Sequence, residues 1–501
     1  MTVDNSGLVA SALYKTDPAL YAAIDGGNTF KTAVRTRGAR VGKYRRYEEG
    51  NHDAQITDQM RAMLRLVADD ADLGDFCGNY CGIVVDKMAG RLKVSEVTTD
   101  DEAQDKWVSW LLERNNFDAM QGIIYRGAIR DADSYVMVDP TTFKWTTEPA
   151  YDGFSGVFAI FPASGGWPLW ACKVWSEAEN QDLAEDETPM TAVMHIKVYQ
   201  QNEITNWTGG VNGQEVRPGE AEEKRWPLGY VPVVHFANLS DNYTQYGKSE
   251  LRKAIPLQNV YNRTLHSMVM ASEFSAFKIS WSIGLEIDKS GITPGAVINL
   301  VITDTTTGKV IVPSTQEEIE FLKAVRVGEF GETDISQYTN QLSEIVKHMS
   351  QATQTPIYGV TAEGNLSGEA LKQLEIGLIG KIKRFQNENT AAIRQLFQLS
   401  ADIQQAFNYP GLEVQPPKTL AGISINWMSP EITDVSATIT SILAVREKAP
   451  GLFDDDFFRQ KIGGLWGMTQ AQIAAEGEKA TNTQAQAFDQ LTGAAGNRPV
   501  V

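Results

Sequence analysis

Seven cations and no acid fall between residues 31 and 46, so this basic run is well suited to contact phosphate. Tyr44 and Tyr47 interleave with the cations, and aromatic rings beside cations suit contact with nucleic acid. A solvated face or charge pairing between subunits would explain the same run, and the sequence leaves these interpretations open. The members of the basic run are Lys31, Arg35, Arg37, Arg40, Lys43, Arg45 and Arg46.

A second candidate is the segment Asp25-Gly26-Gly27-Asn28-Thr29-Phe30-Lys31, which resembles the phosphate-binding turn of sugar kinases and actin-like ATPases. In such a turn, the backbone amides of a β-hairpin hold phosphates and the Asp lies near the metal. The interpretation requires strands on both sides and a second phosphate motif, and we find no second motif in the sequence. The alternative function is therefore a nucleotide-binding enzyme, and a capped turn explains the same residues without any ligand.

Other combinations of reactive residues are poor. The histidines do not have the spacing of metal ligands, and no Gly-x-Ser-x-Gly nucleophile elbow occurs. His235 lies in the apolar run Val231–Phe236 and is predicted to be a hydrogen-bonded core residue, while Asp454–Asp456 suits a helix N-terminus. Cys77, Cys81 and Cys172 are predicted to be small buried hydrophobes in a reducing compartment. We therefore predict no catalytic residue, metal or cofactor, and no enzyme. The histidines are His52, His195, His235, His266 and His348.

The composition narrows the class of protein further. The chain has 501 residues, 42% of them hydrophobic, and 45 basic residues against 63 acidic ones give a net charge of −18. Such a chain can fold, but it does not coat DNA, because neutralising phosphates requires an excess of Lys and Arg. No apolar run approaches the ~20 residues that span a bilayer, so no membrane partner is expected.

Periodicity predicts the elements that position these residues. The first ~95 residues are expected to be mainly helical, including residues 54–68, and residues 101–130 are expected to form two helices. Alternating apolar residues then predict an antiparallel sheet. The run 82–94 mixes helix and strand signals and is left unassigned. The predicted strands are Ser134–Val138, Gly156–Phe161, Trp170–Trp175, Ala192–Tyr199 and Val231–Phe236.

The second half of the chain has a stronger pattern. Pro256 is predicted as the first residue of a helix, and strands are expected over Phe277–Ile287 and Ala296–Val312. Asp334 has N-cap spacing ahead of a narrow heptad seam suited to close helix packing. Ser367 is predicted to cap a long helix that ends near Phe407. A strand over Ile423–Trp427 and small helices at 434–446, 456–462 and from Thr469 follow. The seam consists of Ile335, Tyr338, Leu342, Ile345, Met349 and Ala352.

Four stretches in this order resemble the portal proteins of tailed bacteriophages, of the siphophage head-to-tail connector type. The first runs from Asn79-Tyr80 through Val85-Asp86-Lys87-Met88-Ala89-Gly90-Arg91-Leu92-Lys93-Val94 to Arg126-Gly127-Ala128. The second runs from Gly229-Tyr230-Val231-Pro232 through Gly247-Lys248-Ser249-Glu250-Leu251 to Ile255-Pro256-Leu257-Gln258-Asn259-Val260-Tyr261-Asn262. The third is Val327-Gly328-Glu329-Phe330 through Thr353-Gln354-Thr355-Pro356, and the fourth is Asn365-Leu366-Ser367-Gly368-Glu369-Ala370-Leu371-Lys372.

The resemblance implies a mixed α+β portal fold, with an elongated subunit and a ring oligomer. Its parts would be a wing, two stem helices, a β-containing clip, a tunnel loop, a long wing helix and an α-helical crown. The implied boundaries are 1–247 for the wing, 248–275 and 333–352 for the stem helices, 276–332 for the clip, 353–366 for the tunnel loop, 367–430 for the long wing helix with a return strand, 431–480 for the crown, and 481–501 for a tail.

The resemblance also implies the function: a ring, usually of twelve subunits in this family, through which double-stranded DNA is packaged and ejected without sequence specificity. The implied partners are other copies of the chain, the terminase large subunit, the major capsid and scaffolding proteins, and a head-completion adaptor. The implied location is the portal vertex of the virion, after assembly in the host cytoplasm. The implied DNA-facing residues of the tunnel loop are Thr355, Pro356, Ile357, Tyr358, Gly359, Val360, Thr361, Ala362, Glu363, Gly364 and Asn365.

The distribution of charge agrees with a conduit. Residues 1–247 hold 23 basic and 36 acidic residues, whereas residues 248–408 hold 15 and 17. The tunnel-loop candidate carries one charge, Glu363, and its glycines permit flexibility. A channel that lets DNA slide should lack base-reading side chains and dense phosphate contacts.

Overall fold

The computed structural model describes much of the chain, in ranges that are separated by gaps. The described residues fall into two compact units: Met1–Arg45, Val85–Glu250 and Leu366–Val501 form the first, and Arg46–Val84 and Leu251–Asn365 form the second. The described residues are 4–24, 28–53, 77–177, 193–210, 217–218, 224–240, 244–276, 280–283, 315–316, 320, 326–329, 334–357, 368–407, 409, 412, 414–417, 420, 422–431, 435–448, 454–465, 473, 475–477 and 479.

Helices occupy most of both ends of the described chain. Pro18 begins its helix, where the missing N–H costs nothing, and the side chain of Asp17 caps that helix by accepting from the Leu20 N–H. The helices are α1 (Ser6–Thr16), α2 (Pro18–Ala23), α3 (Asn28–Glu49), α4 (Tyr80–Ala89), α5 (Glu102–Arg114), α6 (Phe117–Asp131), α7 (Leu251–Ala276), α8 (Ser336–Thr353), α9 (Gly368–Phe407), α10 (Val435–Lys448) and α11 (Asp455–Leu465).

Strands fill the part of the chain between α6 and α7, with short additions elsewhere. Each ladder between them is antiparallel, as the alternating pattern predicts. The strands are β1 (Val94–Thr98), β2 (Asp133–Asp139), β3 (Lys144–Pro149), β4 (Gly156–Ile160), β5 (Trp170–Glu177), β6 (Val193–Tyr199), β7 (Glu203–Gly210), β8 (Arg217–Pro218), β9 (Lys224–Arg225), β10 (Val233–Ala237), β11 (Ser280–Ile283), β12 (Arg326–Glu329) and β13 (Ser424–Trp427).

The largest sheet of the first unit has the order β4-β5-β6-β7-β8, with β9 paired to β7. Its inward residues recur every second position, as in Met194, Ile196 and Val198 of β6. This face packs on apolar residues of α1 and α3, such as Leu8 and Val34, which are fully buried. Burying that face ties the N-terminal helices to the sheet.

The smaller sheets position the 40-residue helix α9. The order β10-β2-β3 gives one sheet, and β1 pairs with β13 in another. Leu378, Ile382 and Phe385 form a buried stripe of α9, and α9 lies on β10, β2 and β13. Forty residues extend about 60 Å at 1.5 Å per residue.

The second unit is built around the packed pair α7 and α8, with β11 and β12 forming a two-stranded sheet. Segments from the first hundred residues belong to it as well, namely 46–53 and the turn 77–80. Residues 46–53 and 77–80, which the resemblance assigns to the wing, form hydrogen bonds with α7 of the second unit. Local periodicity does not reveal these contacts.

Most predicted elements are confirmed. The helices between 101 and 130, the long helix to Phe407 and the strand near Ile423–Trp427 are α5, α6, α9 and β13. Residues 82–94, which the sequence left unassigned, contain most of α4 and the first residue of β1. The predicted strands at 134–138, 156–161, 170–175, 192–199 and 231–236 are β2, β4, β5, β6 and β10, within one or two residues at each end. The helices predicted at 434–446 and 456–462 are α10 and α11.

The prediction that Pro256 is the first residue of its helix was wrong. Helix α7 begins at Leu251, and Pro256 lies inside it. Proline removes one N–H from the helical ladder, but Leu251, Ala254 and Ile255 are buried, and their burial favours an earlier start. The predicted helix at 54–68, the cap at Ser367 and the strand 296–312 lie outside the described residues. Of the helix predicted from Thr469, the described residues 473, 475–477 and 479 are helical.

Candidate DNA-conduit elements and the basic run

The start of helix α8 differs by one residue from the prediction: Ile335 is the N-cap and Asp334 lies just before it, so Asp334 and Gln337 are not an N-cap and N3 pair. Asp334 accepts a hydrogen bond from the Ser336 backbone N–H at 2.9 Å, which satisfies one of the unpaired donors at the helix start. At the other end Gln354 adopts a left-handed conformation and donates its N–H to the Gln351 carbonyl. Thr355-Pro356 follows, since a residue before proline avoids helical geometry.

The heptad seam of α8 is partly buried within the second unit. Leu342, Ile345 and Met349 are buried, whereas Ile335, Tyr338 and Ala352 are half-buried. Helix α8 packs against α7. The seam therefore supplies helix–helix packing inside one chain.

The side of α7 that faces residues 46–53 and 77–80 is polar. Gln258 and Asn262 are buried, and each forms hydrogen bonds with those segments. His266 continues this row one turn later and is also buried. The row was not predicted, although its polar side chains recur at i, i+4 and i+8, a spacing that places them on one face of a helix.

The tunnel-loop candidate is divided between described and undescribed residues. Thr355, Pro356 and Ile357 are buried within the second unit. Ser350 donates its hydroxyl to the Thr355 carbonyl at 2.8 Å, which fixes the start of the segment to α8. Tyr358, Gly359, Val360, Thr361, Ala362, Glu363, Gly364 and Asn365 lie outside the described residues.

Arg37 of the basic run forms part of a buried ionic cluster in the first unit. Its guanidinium forms an ion pair with Asp133, which is fully buried, and lies 3.5 Å from the centre of the Tyr246 ring. His235 Nε2 lies 2.7 Å from the other Asp133 oxygen, to which the Gly247 N–H also donates at 2.9 Å. His235 is thus the hydrogen-bonded residue that the sequence predicted, beside a carboxylate that it did not.

The cluster favours the ionised form of its carboxylate. Burial alone would raise the pKa of Asp133, but the charge of Arg37 and the hydrogen bonds from His235 and Gly247 outweigh it and lower that pKa below its usual value. A buried charge that is paired and hydrogen-bonded holds its neighbours in one geometry. The cluster therefore fixes α3 to β2 and β10.

Arg45 forms a second clamp about two turns further along α3. It donates to Asp131 at 3.0 Å, to Asp152 at 2.6 Å and to the Ala150 carbonyl at 2.7 Å. Between the two clamps Gly38 packs closely on a turn, where a Cβ would lie 2.6 Å from the Gly153 nitrogen. The geometry requires glycine here because of this close approach.

Other members of the basic run also meet acids of the same chain. Arg35 lies 3.1 Å from Asp4, and Arg46 lies 3.0 Å from Asp53. Lys31 and Arg40 are exposed, and Lys43 is half-buried. The run is therefore engaged largely in charge pairing within the subunit, an outcome the sequence analysis did not foresee, and its contact with nucleic acid or other subunits stays a prediction.

The Asp25–Lys31 segment does not have the flanks that a phosphate-binding hairpin needs. Residues Pro18–Ala23 before it are helical, and Asn28 to Lys31 belong to the first turn of α3. The hairpin interpretation is therefore wrong for the described residues on both sides of the segment. These residues form helices, and the apolar side chains of the helices pack on the sheet that contains β4 to β8. Leu20 and Tyr21 contact that core.

The portal-like segment Gly247–Leu251 joins several elements of the first unit. A Cβ at Gly247 would lie 2.1 Å from the Ala132 carbonyl oxygen, so no larger residue fits. Glu250 forms a buried ion pair with Lys381 of α9 at 2.6 Å, and Asn238 donates to the same carboxylate at 3.3 Å. Nothing in the local sequence indicated that Lys381 is the partner.

The described residues offer little reactive chemistry. They contain no group of three or more His, Cys, Asp or Glu side chains placed to hold a metal ion. Burial raises the pKa of the Cys81 thiol to about 12 and that of Cys172 further, so neither is a nucleophile at neutral pH. Among the described helices, none is long and apolar enough to cross a membrane.

The chain matches a known protein family over its middle and C-terminal parts. The family model for phage portal protein, SPP1 Gp6-like, matches residues 185–482, which is more than half of the chain. This range contains strands β6 to β13, the packed pair α7 and α8, and helices α9 to α11. The chain belongs to the SPP1 Gp6-like phage portal protein family, whose members are structural proteins of phage particles.

Solved structures with some similarity come from gene transfer agent particles. The neck of the native particle computed with C12 symmetry has 11% identity and a TM-score of 0.40, with 81% of this chain and 93% of that chain covered. The neck of the empty particle computed with C6 symmetry has 12% identity and a TM-score of 0.39, covering 76% and 88%. The virion of the native particle has 12% identity and a TM-score of 0.38, covering 81% and 94%. A comparison with curated proteins gave no match.

Proposed function

We propose that the chain assembles into a ring of twelve subunits at one vertex of the capsid and forms the channel through which double-stranded DNA is packaged and ejected. The observation that carries the proposal is the family match over residues 185–482. That range includes the segments assigned to the stem, clip, tunnel loop, long wing helix and crown. The segment assigned to the wing, residues 1–247, overlaps the matched range only at residues 185–247.

In this proposal α7 and α8 are the stem helices. Their packing on each other, with buried Leu342, Ile345 and Met349, supports a rigid helical pair within each subunit. The segment 276–332 between them is assigned to the clip, and its described part pairs β11 with β12. Helix α9, about 60 Å long, is assigned to the wing.

The DNA-facing part of the tunnel loop is proposed to be Tyr358–Asn365. Thr355, Pro356 and Ile357 are buried and so act as the anchor of the loop on α8. Glu363 is the one charged residue of the segment 358–365. A loop without Lys or Arg does not bind phosphates tightly, which suits a conduit that must let DNA slide.

The basic run is proposed to act mainly as an internal clamp. Arg37 and Arg45 bind buried or half-buried acids of the same unit, so their charges are already compensated. Of the two external roles, charge pairing between subunits is supported by the exposure of Lys31 and Arg40 on an acidic protein. Contact of these two residues with DNA is the second candidate.

The partners follow from the proposed position at the vertex. The terminase large subunit would dock during packaging and a head-completion adaptor afterwards. The major capsid and scaffolding proteins would surround the ring during assembly in the host cytoplasm. The nucleotide-enzyme alternative is disfavoured by the helices on both sides of Asp25–Lys31.

The test of the conduit is to shorten the loop by deleting residues 360–364. We expect rings of normal mass but a lower yield of packaged or retained DNA, because the deletion removes the segment proposed to reach the DNA. Packaging is measured as DNase-protected DNA per particle. Glu363→Gln is the matched control, since it removes the charge and keeps the length, and we expect nearly normal packaging. An unchanged DNA yield after the deletion would contradict the assignment of the loop.

A further inference from the structure

A network of neutral hydrogen bonds in the second unit joins residues 46–53, here called the strap, to helix α7. His52 is at its centre and is half-buried. Its Nε2 lies 3.0 Å from the Tyr47 carbonyl oxygen, and its Nδ1 lies 2.9 Å from Asn262 Nδ2 on α7. The rings of Tyr47 and His52 are packed with their centres 4.7 Å apart.

Backbone groups at the two ends of the network determine which atom donates and which atom accepts in each of its hydrogen bonds. Gln258 Oε1 accepts from the Tyr80 N–H at 3.0 Å, and Gln258 Nε2 donates to the Gly78 carbonyl. Gln258 therefore cannot exchange its oxygen and nitrogen without losing both bonds. Its Nε2 also donates to Asn262 Oδ1 at 2.9 Å.

The same logic fixes Asn262 and then His52. Since Asn262 Oδ1 accepts from Gln258, its Nδ2 donates to His52 Nδ1, which must carry a lone pair. The proton of the neutral imidazole is therefore on Nε2, and it is donated to the Tyr47 carbonyl. The network specifies one tautomer of one protonation state.

Protonation of His52 conflicts with this network. A proton on Nδ1 would face the Asn262 amide N–H₂, so that two donors would meet. Rotating the Asn262 amide relieves that contact but sets its N–H₂ against Gln258 Nε2, which is held by Tyr80 and Gly78. Each arrangement loses a hydrogen bond between buried groups, and Gln258 and Asn262 are both fully or nearly fully buried.

Charged and titratable groups surround His52 from several elements. Asp53 is adjacent and favours the charged imidazole, but it is already bound to Arg46 at 3.0 Å and accepts from the Tyr47 hydroxyl at 3.1 Å. His266 lies one turn along α7, and its Nδ1 donates to the Asn262 carbonyl at 2.6 Å. The other titratable residues of the strap, of the segment 77–80 and of helices α7 and α8 are Glu48, Glu49, Cys77, Tyr80, Arg252, Lys253, Tyr261, Arg263, Glu273, Tyr338, Glu344, Lys347 and His348.

We propose that His52 makes the attachment of the strap to helix α7 sensitive to acid. The bond between His52 and Asn262 holds while the imidazole is neutral and is lost when it is protonated, so that the strap then keeps only bonds such as that from the Tyr47 hydroxyl to Asn259 Oδ1 and opens more often. The hydrogen-bond directions carry this proposal. It goes beyond the portal function, since it concerns a joint within one subunit whatever passes through the ring.

The electrostatic environment agrees in sign. Burial lowers the pKa of His52 below its ordinary 6.5, although the hydrogen bond to Tyr47 and the charge of Asp53 act in the other direction. The released strap, with an ordinary pKa, binds the proton more tightly than the attached strap does. The attachment is therefore complete above about pH 6.5 and weakens as the pH falls below that value.

The test is hydrogen–deuterium exchange of the strap in the full-length protein at about pH 7.5 and about pH 5.5, corrected for intrinsic exchange rates. We expect protection of residues 46–53 to fall several-fold at the lower pH, up to about tenfold for a group of pKa about 6.5. Residues of β2 serve as the internal reference, and their protection should not change. Equal protection of the strap at both pH values would overturn the proposal.

Two variants and a control identify the group. His52→Gln cannot titrate, and we expect its strap to lose the pH response. Asn262→Asp replaces the opposing N–H₂ by a carboxylate oxygen, which accepts a hydrogen bond from a protonated His52. The strap of this variant should therefore be better protected at the lower pH than at the higher pH. His348→Gln, at an exposed position of α8, should respond as the wild type does. A wild-type response in His52→Gln, or in Asn262→Asp, would assign it to another group and overturn the proposal.

Discussion

The two units fasten segments from the start of the chain by opposite chemistries. In the first unit α3 is held by ions, with Arg37 on buried Asp133 and Arg45 on Asp131 and Asp152. In the second unit the strap is held by neutral amides and an imidazole, through Asn262 and His52. One continuous basic run thus begins in an ionic clamp and ends beside a neutral network.

The two joints should therefore respond differently to mutation and to pH. A buried ion pair is strong against acid until its carboxylate is protonated, but removing one partner leaves an uncompensated charge. A neutral network is less costly to disturb, yet it tolerates only one protonation state of its histidine. We therefore expect the first unit to be sensitive to mutation of its acids and the second to be sensitive to mild acid.

The largest effect that this comparison predicts is that of Asp133→Ala. Removing the carboxylate leaves Arg37 and His235 without their shared partner in a buried cluster, which typically costs about 3–5 kcal/mol. The free energy of unfolding of the first unit, from denaturant titration, should fall by that amount. The control is Arg35→Ala, because the exposed pair of Arg35 with Asp4 contributes at most about 1 kcal/mol. Equal effects of the two substitutions would contradict the assignment of the buried clamp.

A smaller effect is expected where α3 approaches the turn at Gly153. In Gly38→Ala the new methyl would lie 2.6 Å from the Gly153 nitrogen, and backbone must shift, at a cost of about 1–3 kcal/mol. Gly122→Ala is the matched control in α6, where no atom lies within 4 Å of the added Cβ. It should stabilise the helix by about 0.5–1 kcal/mol. The measurement is the midpoint of thermal unfolding, and a loss in both variants would show that close packing is not the cause.

The smallest predicted effect is a difference between the two units in the pH at which their protection from exchange begins to fall. The pKa of Asp133 is lowered below its ordinary 3.8, so its contribution to stability is complete above that value and is lost as the pH falls through the lowered pKa. The contribution of His52 already weakens below about 6.5. Exchange measured between about pH 6.5 and about pH 4 should therefore change in the strap before it changes in β2. Simultaneous change would show that the two joints do not differ.

The sequence predicted the elements better than it predicted their joints. Strands such as β6 were found because Met194, Ile196 and Val198 alternate with polar residues. Strands β3 and β7 were missed, since Thr, Asn and Glu dominate them and the apolar alternation is weak. Hydrophobic periodicity indicates which residues are buried, so it does not predict a strand that buries few apolar side chains.

The joints could not be predicted because their partners are distant in sequence. Arg45 binds Asp131 and Asp152, which lie 86 and 107 residues away, and an acidic chain offers too many carboxylates to choose among. The polar row on α7 was within reach of sequence analysis, because Gln258, Asn262 and His266 recur at helical spacing. Its partners at 46–53 and 77–80 were not.

Measuring the mass of the purified assembly and imaging it in negative stain would decide whether the chain forms a portal ring. We expect a ring with a central channel and a mass of about 660 kDa, twelve copies of the 55.2 kDa chain. A stable monomer that hydrolyses ATP, and that loses this activity in Asp25→Ala, would contradict it.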